Sequence, residues 1–250
     1  MVDASIPDRK LWTWISQPPA DLRTCRTVRA GRSDRAWTST ILLVEDPTTK
    51  RRWIDKRRRL LPAELLEIEA VLARLADKDI PALPTITGWC VADHHLRLLL
   101  EPVGAVQACR EPWRERLDGP KGSGATARLA LNLVLTLREL HSADLIFQDL
   151  TRRQLISVEP LRLGDVDTIV LRAGLCARLG SWLPGGAPTK GCSEITDTHL
   201  AAGIINDWGN SPTLAPSERA SVHEAANALL TMDPETGLRL AADALAPVAA

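Results

Sequence analysis

Between His141 and Asp167 the chain reads HSADLIFQDLTRRQLISVEPLRLGDVD. A Leu-rich segment without helix breakers, Ala125 to His141, leads into this stretch and predicts a helix. Inside it, Asp149 follows the apolar run Leu145-Ile146-Phe147. Two short apolar pieces, Gln154 to Val158 and Leu161 to Leu163, flank Glu159-Pro160, whose turn chemistry predicts a small hairpin. Asp149 stands just before that hairpin and Asp165 just after it. Two carboxylates bracketing one hairpin can converge on a point, which suits metal and phosphate chemistry better than packing. Either aspartate alone reads as a solvated turn residue; the pair at this spacing favours a site.

The pattern resembles the catalytic core of the eukaryotic-type protein kinase superfamily, where H-R-D-L-x-x-x-N is followed by a hairpin and then D-F-G. Phe147-Gln148-Asp149-Leu150 stands at the first motif, with Gln154 at its Asn place. Asp165-Val166-Asp167 stands at the D-F-G place, and Leu140-His141-Ser142 fits the usual lead-in. The resemblance extends over residues 27–246 and implies an α+β, bilobal protein-kinase-like fold. Residues 25–103 would form a small β-rich N-lobe and residues 104–250 a mostly helical, abbreviated C-lobe. Residues 1–24, with Pro7, Pro18 and Pro19 and no clear period, read as a loose N-terminal extension whose Trp12 and Trp14 could pack back on the domain.

Further along, Ile41-Leu42-Leu43-Val44 is a β-rich run, Asp46-Pro47 marks a turn, and Arg52-Trp53-Ile54 leads into Lys56, so two or three antiparallel strands are expected. Gly31 alone stands where the family has three glycines covering the phosphates; by itself it reads as a plain turn. The segment Pro62 to Ala76 has helical spacing, with Leu65, Ile68, Leu72 and Leu75 as its apolar stripe. The resemblance implies that Lys56 reaches the nucleotide phosphates and that Glu69 on this helix orients it, with Glu67 the fallback. Leu96 to Leu100 reads as a buried strand closed by Glu101-Pro102-Val103-Gly104. In the family this is the link between lobes, so Leu100, Glu101 and Val103 would meet the adenine ring.

The Gly- and Pro-rich run after Asp167 matches an activation segment in position and loop character. Glu194 would be the A-P-E glutamate, and Asp197 the buried helix aspartate that braces the catalytic loop. The tail, Ala226 to Leu245, resembles the last helices of protein kinases, where Arg239 would pair with Glu194.

The implied chemistry is ATP- and Mg²⁺-dependent phosphoryl transfer to protein Ser or Thr, with Mn²⁺ as the other candidate metal. Asp149 would position or deprotonate the acceptor hydroxyl, and Asp165 would hold the metal. Gln154 offers the asparagine's amide oxygen on a longer stem, and Asp167 adds a carboxylate where the family has glycine. Gln148 replaces the arginine that reads activation-loop phosphate. These departures, with the missing glycines, keep open an alternative: a pseudokinase that serves as a binding or scaffold module. Asp165-Val166-Asp167 also matches the D-x-D pattern of metal-dependent nucleotide-sugar transferases, a more remote alternative.

Composition narrows the partners. Thirty-one basic and thirty-one acidic residues give net zero charge, which argues against a protein devoted to nucleic acid or anionic membrane. The basic run Lys50 to Arg59 reads first as a solvated face, and it keeps a nuclear address open. Five scattered cysteines form no Cys-x-x-Cys pair, so neither zinc nor a disulfide framework is indicated and a reduced, cytoplasmic compartment is expected. The five histidines show no metal spacing. No signal core or membrane span is visible. The absence of Tyr excludes tyrosine autophosphorylation. The expected partner is a protein, as substrate or as scaffold client.

Overall fold

The computed structural model describes residues 11–19, 22, 24–31, 40–102, 124–151, 154–158, 160–164, 166–179 and 193–250. The described residues are α+β and fall into two compact units. One holds the described residues up to Asp79 together with 84–102; the other holds Ile80–Leu83 and the described residues of 124–179 and 193–250.

The first unit is built on strands β1 (Thr13–Trp14), β2 (Arg26–Gly31), β3 (Thr40–Glu45), β4 (Arg52–Arg59), β5 (Ile86–Ala92) and β6 (His95–Leu100). They form one antiparallel sheet in the order β1-β5-β6-β4-β3-β2. Local chemistry sets the turns. The Asp46 carboxylate accepts the N–H groups of Thr48 and Thr49 at 2.8 and 3.2 Å, closing the β3–β4 connection. Asp93 and His94 both take positive φ, 49° and 61°, as a two-residue hairpin turn between right-twisted strands requires.

Side chains alternate across the sheet. Trp53, Asp55 and Arg57 of β4 share a face with Val44 and Leu99; Ile54, Lys56 and Arg58 share the other with Leu43, Leu98 and Leu100. The first face carries a core of Trp12, Val44, Trp53, Cys90 and Leu99. Trp12 and Trp14 pack back on the sheet, as expected: Trp12 is buried, stacks on Trp14 with ring centroids 4.8 Å apart, and leads into β1 at the sheet edge. Two large aromatic rings supply enough apolar area to dock a segment whose own strand is only two residues long. Gly88 permits the pairing, since a Cβ there would lie 2.7 Å from both the Thr13 carbonyl oxygen and the Trp14 ring.

The same face buries an ionic cluster. Asp55 is fully buried and accepts Arg97 Nε and Nη2 at 2.9 and 2.7 Å, while Arg57 Nη2 donates to it at 2.7 Å. The Arg97 guanidinium lies 5.5 Å from the centre of the Trp12 ring, a cation–π contact. The basic run 50–59 is thus largely β4, with arginines paired to carboxylates: Arg51 to Glu101 (2.9 Å), Arg52 to Glu45 (2.8 Å) and Arg58 to Glu64 (2.8 Å). Lys50, Arg52 and Arg59 keep the exposure that a basic face predicts, while Asp55 and Lys56 of the same run are buried.

The helix expected over 62–76 is two helices, α1 (Pro62–Leu65) and α2 (Ile68–Ala76). Glu64 caps the start of the first, accepting the Leu61 N–H at 2.6 Å and the Arg58 guanidinium. The stripe survives in α2, where Ile68, Val71, Leu72 and Leu75 are buried, while Leu65 is only half-buried.

The second unit contains α3 (Ala125–Ser142), β7 (Leu145–Ile146), β8 (Leu155–Val158), β9 (Leu161–Leu163), β10 (Val170–Leu171), α4 (Leu175–Leu179), α5 (Glu194–Gly209), α6 (Pro216–Thr231) and α7 (Pro234–Ala249). The Leu-rich α3 is its axis, packed by α5, α6 and α7 around Leu133, Leu137, Trp208, Leu229 and Leu245. Gly124 at φ 71° offers no capping side chain, so the buried Glu218 of α6 accepts the N–H groups of Gly124 and Ala127 at 3.1 Å each. The expected hairpin forms as β8 and β9, and β7 pairs with β10. Among the described residues no helix is long and apolar enough to cross a membrane.

Candidate functional site

The loop carrying Asp149 is fixed by a carboxylate 48 positions away in sequence. Asp197, fully buried in the first turns of α5, accepts the Phe147 N–H at 2.8 Å and the Gln148 N–H at 2.9 Å. Its Oδ2 also lies 3.0 Å from Nε2 of His141, on the last turn of α3. One carboxylate thereby ties the end of α3, the loop and α5 together.

The loop needs that tie. Gln148 sits at φ 69°, and the Asp149 N–H donates to the Phe147 carbonyl at 2.8 Å across it, the signature of the rare γ-turn. A left-handed backbone at a non-glycine residue costs about 1–2 kcal/mol. Bonds to Asp197 immediately before the turn offset that cost, and the buried side chains of Phe147 and Leu150 anchor both ends. Asp149 between them stays half-buried and is presented by the turn.

Gln154 closes the far side. Its Oε1 accepts the Thr151 N–H at 3.0 Å and the Thr151 hydroxyl, and its Nε2 donates to Asp149 Oδ2 at 3.2 Å. The Gln154 N–H returns to the Thr151 carbonyl at 3.1 Å. Downstream, Val166 and Asp167 are buried in a single 3₁₀ turn, Val166–Thr168. Asp165 lies outside the described residues. Among those described, no group of three or more His, Cys, Asp or Glu is arranged to hold a metal ion.

No model of a known protein family matches this chain, and no curated protein sequence matches it. Its functional reading rests on the side chains themselves.

In the sheet unit Lys56 is buried at mid-strand, paired across β4 with Ile41 on one side and Leu98 on the other. An ammonium group in such leucine-rich surroundings requires compensating anions. Glu69 is exposed on α2, and Glu67 is half-buried at the start of that helix. Gly31 ends β2 opposite Ile41. Leu100, buried, ends β6 between Ile54 and Ile86. Glu101 follows, with its N–H donated to the Thr85 carbonyl at 2.9 Å and its carboxylate on Arg51. Val103 lies outside the described residues.

One expected pair does not form. Arg239 is exposed and bonds Asp243, four residues along the same helix, at 3.3 Å, the partner that i,i+4 spacing places beside it. Glu194 instead pairs with Arg172 at 3.2 Å and lies 3.8 Å from His141 Nδ1. Arg172 also reaches Asp144 at 3.2 Å and donates to the His141 carbonyl, stitching β10 to the end of α3. No local sequence signal marks Arg172. Thr151 had one: Thr151-x-x-Gln154 is the S/T-x-x-E/Q pattern in which a glutamine side chain returns to the first residue's N–H.

Proposed function

We propose that this chain transfers the γ-phosphoryl group of ATP to a serine or threonine hydroxyl of a protein, as a divergent, two-lobed protein-kinase-like domain. The observation that carries this reading is the Asp197-braced turn that presents Asp149. A buried carboxylate holding two successive loop N–H groups is expensive to maintain, and a loop held this firmly suits a residue that must meet a hydroxyl in line. The order of elements supports it too: a sheet with a helical segment after β4, then a long helix, the braced loop, a hairpin and three closing helices.

In this reaction Asp149 orients the acceptor hydroxyl and takes its proton, a role usually worth 10²–10⁴-fold in rate. Lys56 neutralises phosphate charge, with Glu69 or Glu67 as its orienting anion. Leu100, Glu101 and Val103 line the adenine. Asp165 and Asp167 provide the hard oxygen donors that Mg²⁺ prefers. When bound, Mg²⁺ neutralises charge on the phosphates. The domain acts inside the cell on a protein partner.

A second reading, a nucleotide-binding scaffold without turnover, is favoured by one observation: the Gln154 amide oxygen is already engaged at Thr151. The discriminating experiment is transfer of labelled γ-phosphate to general protein substrates by the wild type and by Asp149→Asn. Transfer that falls at least 100-fold in Asp149→Asn supports catalysis. Equal, background-level signals in both proteins would favour the scaffold.

A further inference from the structure

We infer that Gln154 is a positioning residue for Asp149 and is not a metal ligand. The orientation of its amide is fixed at both ends. The Thr151 N–H can only donate, so it must face Oε1; the Asp149 carboxylate at neutral pH can only accept, so it must face Nε2. The oxygen that a metal would need is therefore turned into the 151–154 loop. The nitrogen is turned onto the carboxylate that the reaction would use.

Side-chain length explains the choice of residue. Thr151-x-x-Gln154 closes a reciprocal box: the Gln154 backbone N–H reaches the Thr151 carbonyl at 3.1 Å while the Gln154 side chain reaches the Thr151 N–H at 3.0 Å. The long glutamine stem spans back to residue 151 and still leaves its nitrogen 3.2 Å from Asp149. Turning the oxygen outward to a cation would leave the Thr151 N–H without this acceptor and would aim the oxygen's dipole away from the loop. Such a cost is not recovered by Mg²⁺, which holds strictly to octahedral geometry and readily keeps water in place of a poorly placed ligand. Any divalent cation on this chain is held without Gln154.

The role assigned to Asp149 rests on the phosphoryl-transfer reading; the clasp itself does not. Two experiments separate them. The first is a double-mutant cycle on urea unfolding with Asp149→Ala, Gln154→Ala and the double variant. The clasp requires that the two effects fail to add, the double variant being no less stable than the worse single one. Additive effects would overturn the clasp and leave phosphoryl transfer untouched.

The second uses the intact chain with ATP and Mg²⁺ or Mn²⁺. The nucleotide- and metal-dependent rise in melting temperature should be the same in wild type and Gln154→Ala. In turnover, Gln154→Ala should lower kcat by roughly 10- to 100-fold with an unchanged KM for ATP. Gln154→Glu separates the roles further. A metal ligand gains from an added carboxylate and would bind Mg²⁺ more tightly, whereas a clasp loses the amide N–H that reaches Asp149 and loses kcat as Gln154→Ala does. A melting rise that disappears in Gln154→Ala, or tighter Mg²⁺ binding in Gln154→Glu, would overturn the inference. A wild type that neither binds nucleotide nor transfers phosphate overturns the phosphoryl-transfer reading, and the unfolding cycle then decides the clasp alone.

Discussion

The Gln148 N–H donates to the Asp197 carboxylate at 2.9 Å, and Gln148 is itself held in the left-handed region at φ 69°. A strained turn and the bond that stabilises it thus sit on the same residue. Strain of this kind persists only where its surroundings over-determine it. Asp197→Ala would strand two buried backbone donors and the His141 Nε2 contact. It should cost about 3 kcal/mol or more by urea unfolding. Asp197→Asn, which keeps one acceptor oxygen, should fall between the two. Protection of the Gln148 amide in hydrogen exchange should drop in both variants.

The Arg97 guanidinium donates to Asp55, and both residues are buried within the first unit. Asp55→Ala leaves the Arg97 guanidinium desolvated without its partner, so a loss of about 3–5 kcal/mol is expected. Replacing both, as Asp55→Leu with Arg97→Met, should recover most of that loss, because an apolar pair of similar volume carries no desolvation cost. Thermal melts of the wild type and the two variants provide the check.

Gly88→Ala should expel β1. The new Cβ would fall 2.7 Å from the Thr13 carbonyl oxygen, a backbone atom that cannot swing aside. The expected cost is about 1–3 kcal/mol. Release of Trp12 and Trp14 from the sheet should appear as a red shift and greater quenching of tryptophan fluorescence. An unshifted spectrum would mean that the segment docks without β1 pairing.

Glu45 sets an acid limit on the sheet. Its hydrogen bond from Arg52, then that from Arg26, holds its carboxyl below the ordinary glutamate range. As pH falls, the unfolded chain takes up this proton before the folded one does, so stability declines in that window. The contribution is fully present above the ordinary glutamate value and is lost as pH drops through the depressed one. Glu45→Gln should therefore flatten the melting temperature against pH in the acid range while leaving a lower plateau near neutrality.

Much of the second unit was legible in sequence because its signals are local. Glu159-Pro160 between two apolar runs gave the hairpin, and an unbroken Leu-rich segment gave α3. Asp197 was assigned from the resemblance alone, and its hydrogen bonds to Phe147 and Gln148 have the bracing geometry expected of it. What escaped was tertiary. Trp12 and Trp14 were expected to pack back on the domain, but a two-residue strand has no period, so the pairing of β1 with β5 could not be read from alternation. Asp55 and Arg97 are 42 positions apart and meet only through the register of β4 on β6. Glu194 found Arg172 rather than Arg239 because β10 delivers Arg172 to the start of α5, and no local pattern records that. Gln154 was weighed only as a metal ligand, although Thr151-x-x-Gln154 carries the loop-closing pattern in plain view.

The most direct test of the account is the change in melting temperature on adding ATP with Mg²⁺ or Mn²⁺, with Lys56→Met and Asp165→Asn as controls. A ligand that binds only the folded state stabilises it by about 1.4 kcal/mol at ten times its Kd, or about 3–6 °C for a chain of this size. The account expects a rise that needs metal and disappears in both variants. No rise with either metal, or a rise that both variants keep, would contradict it.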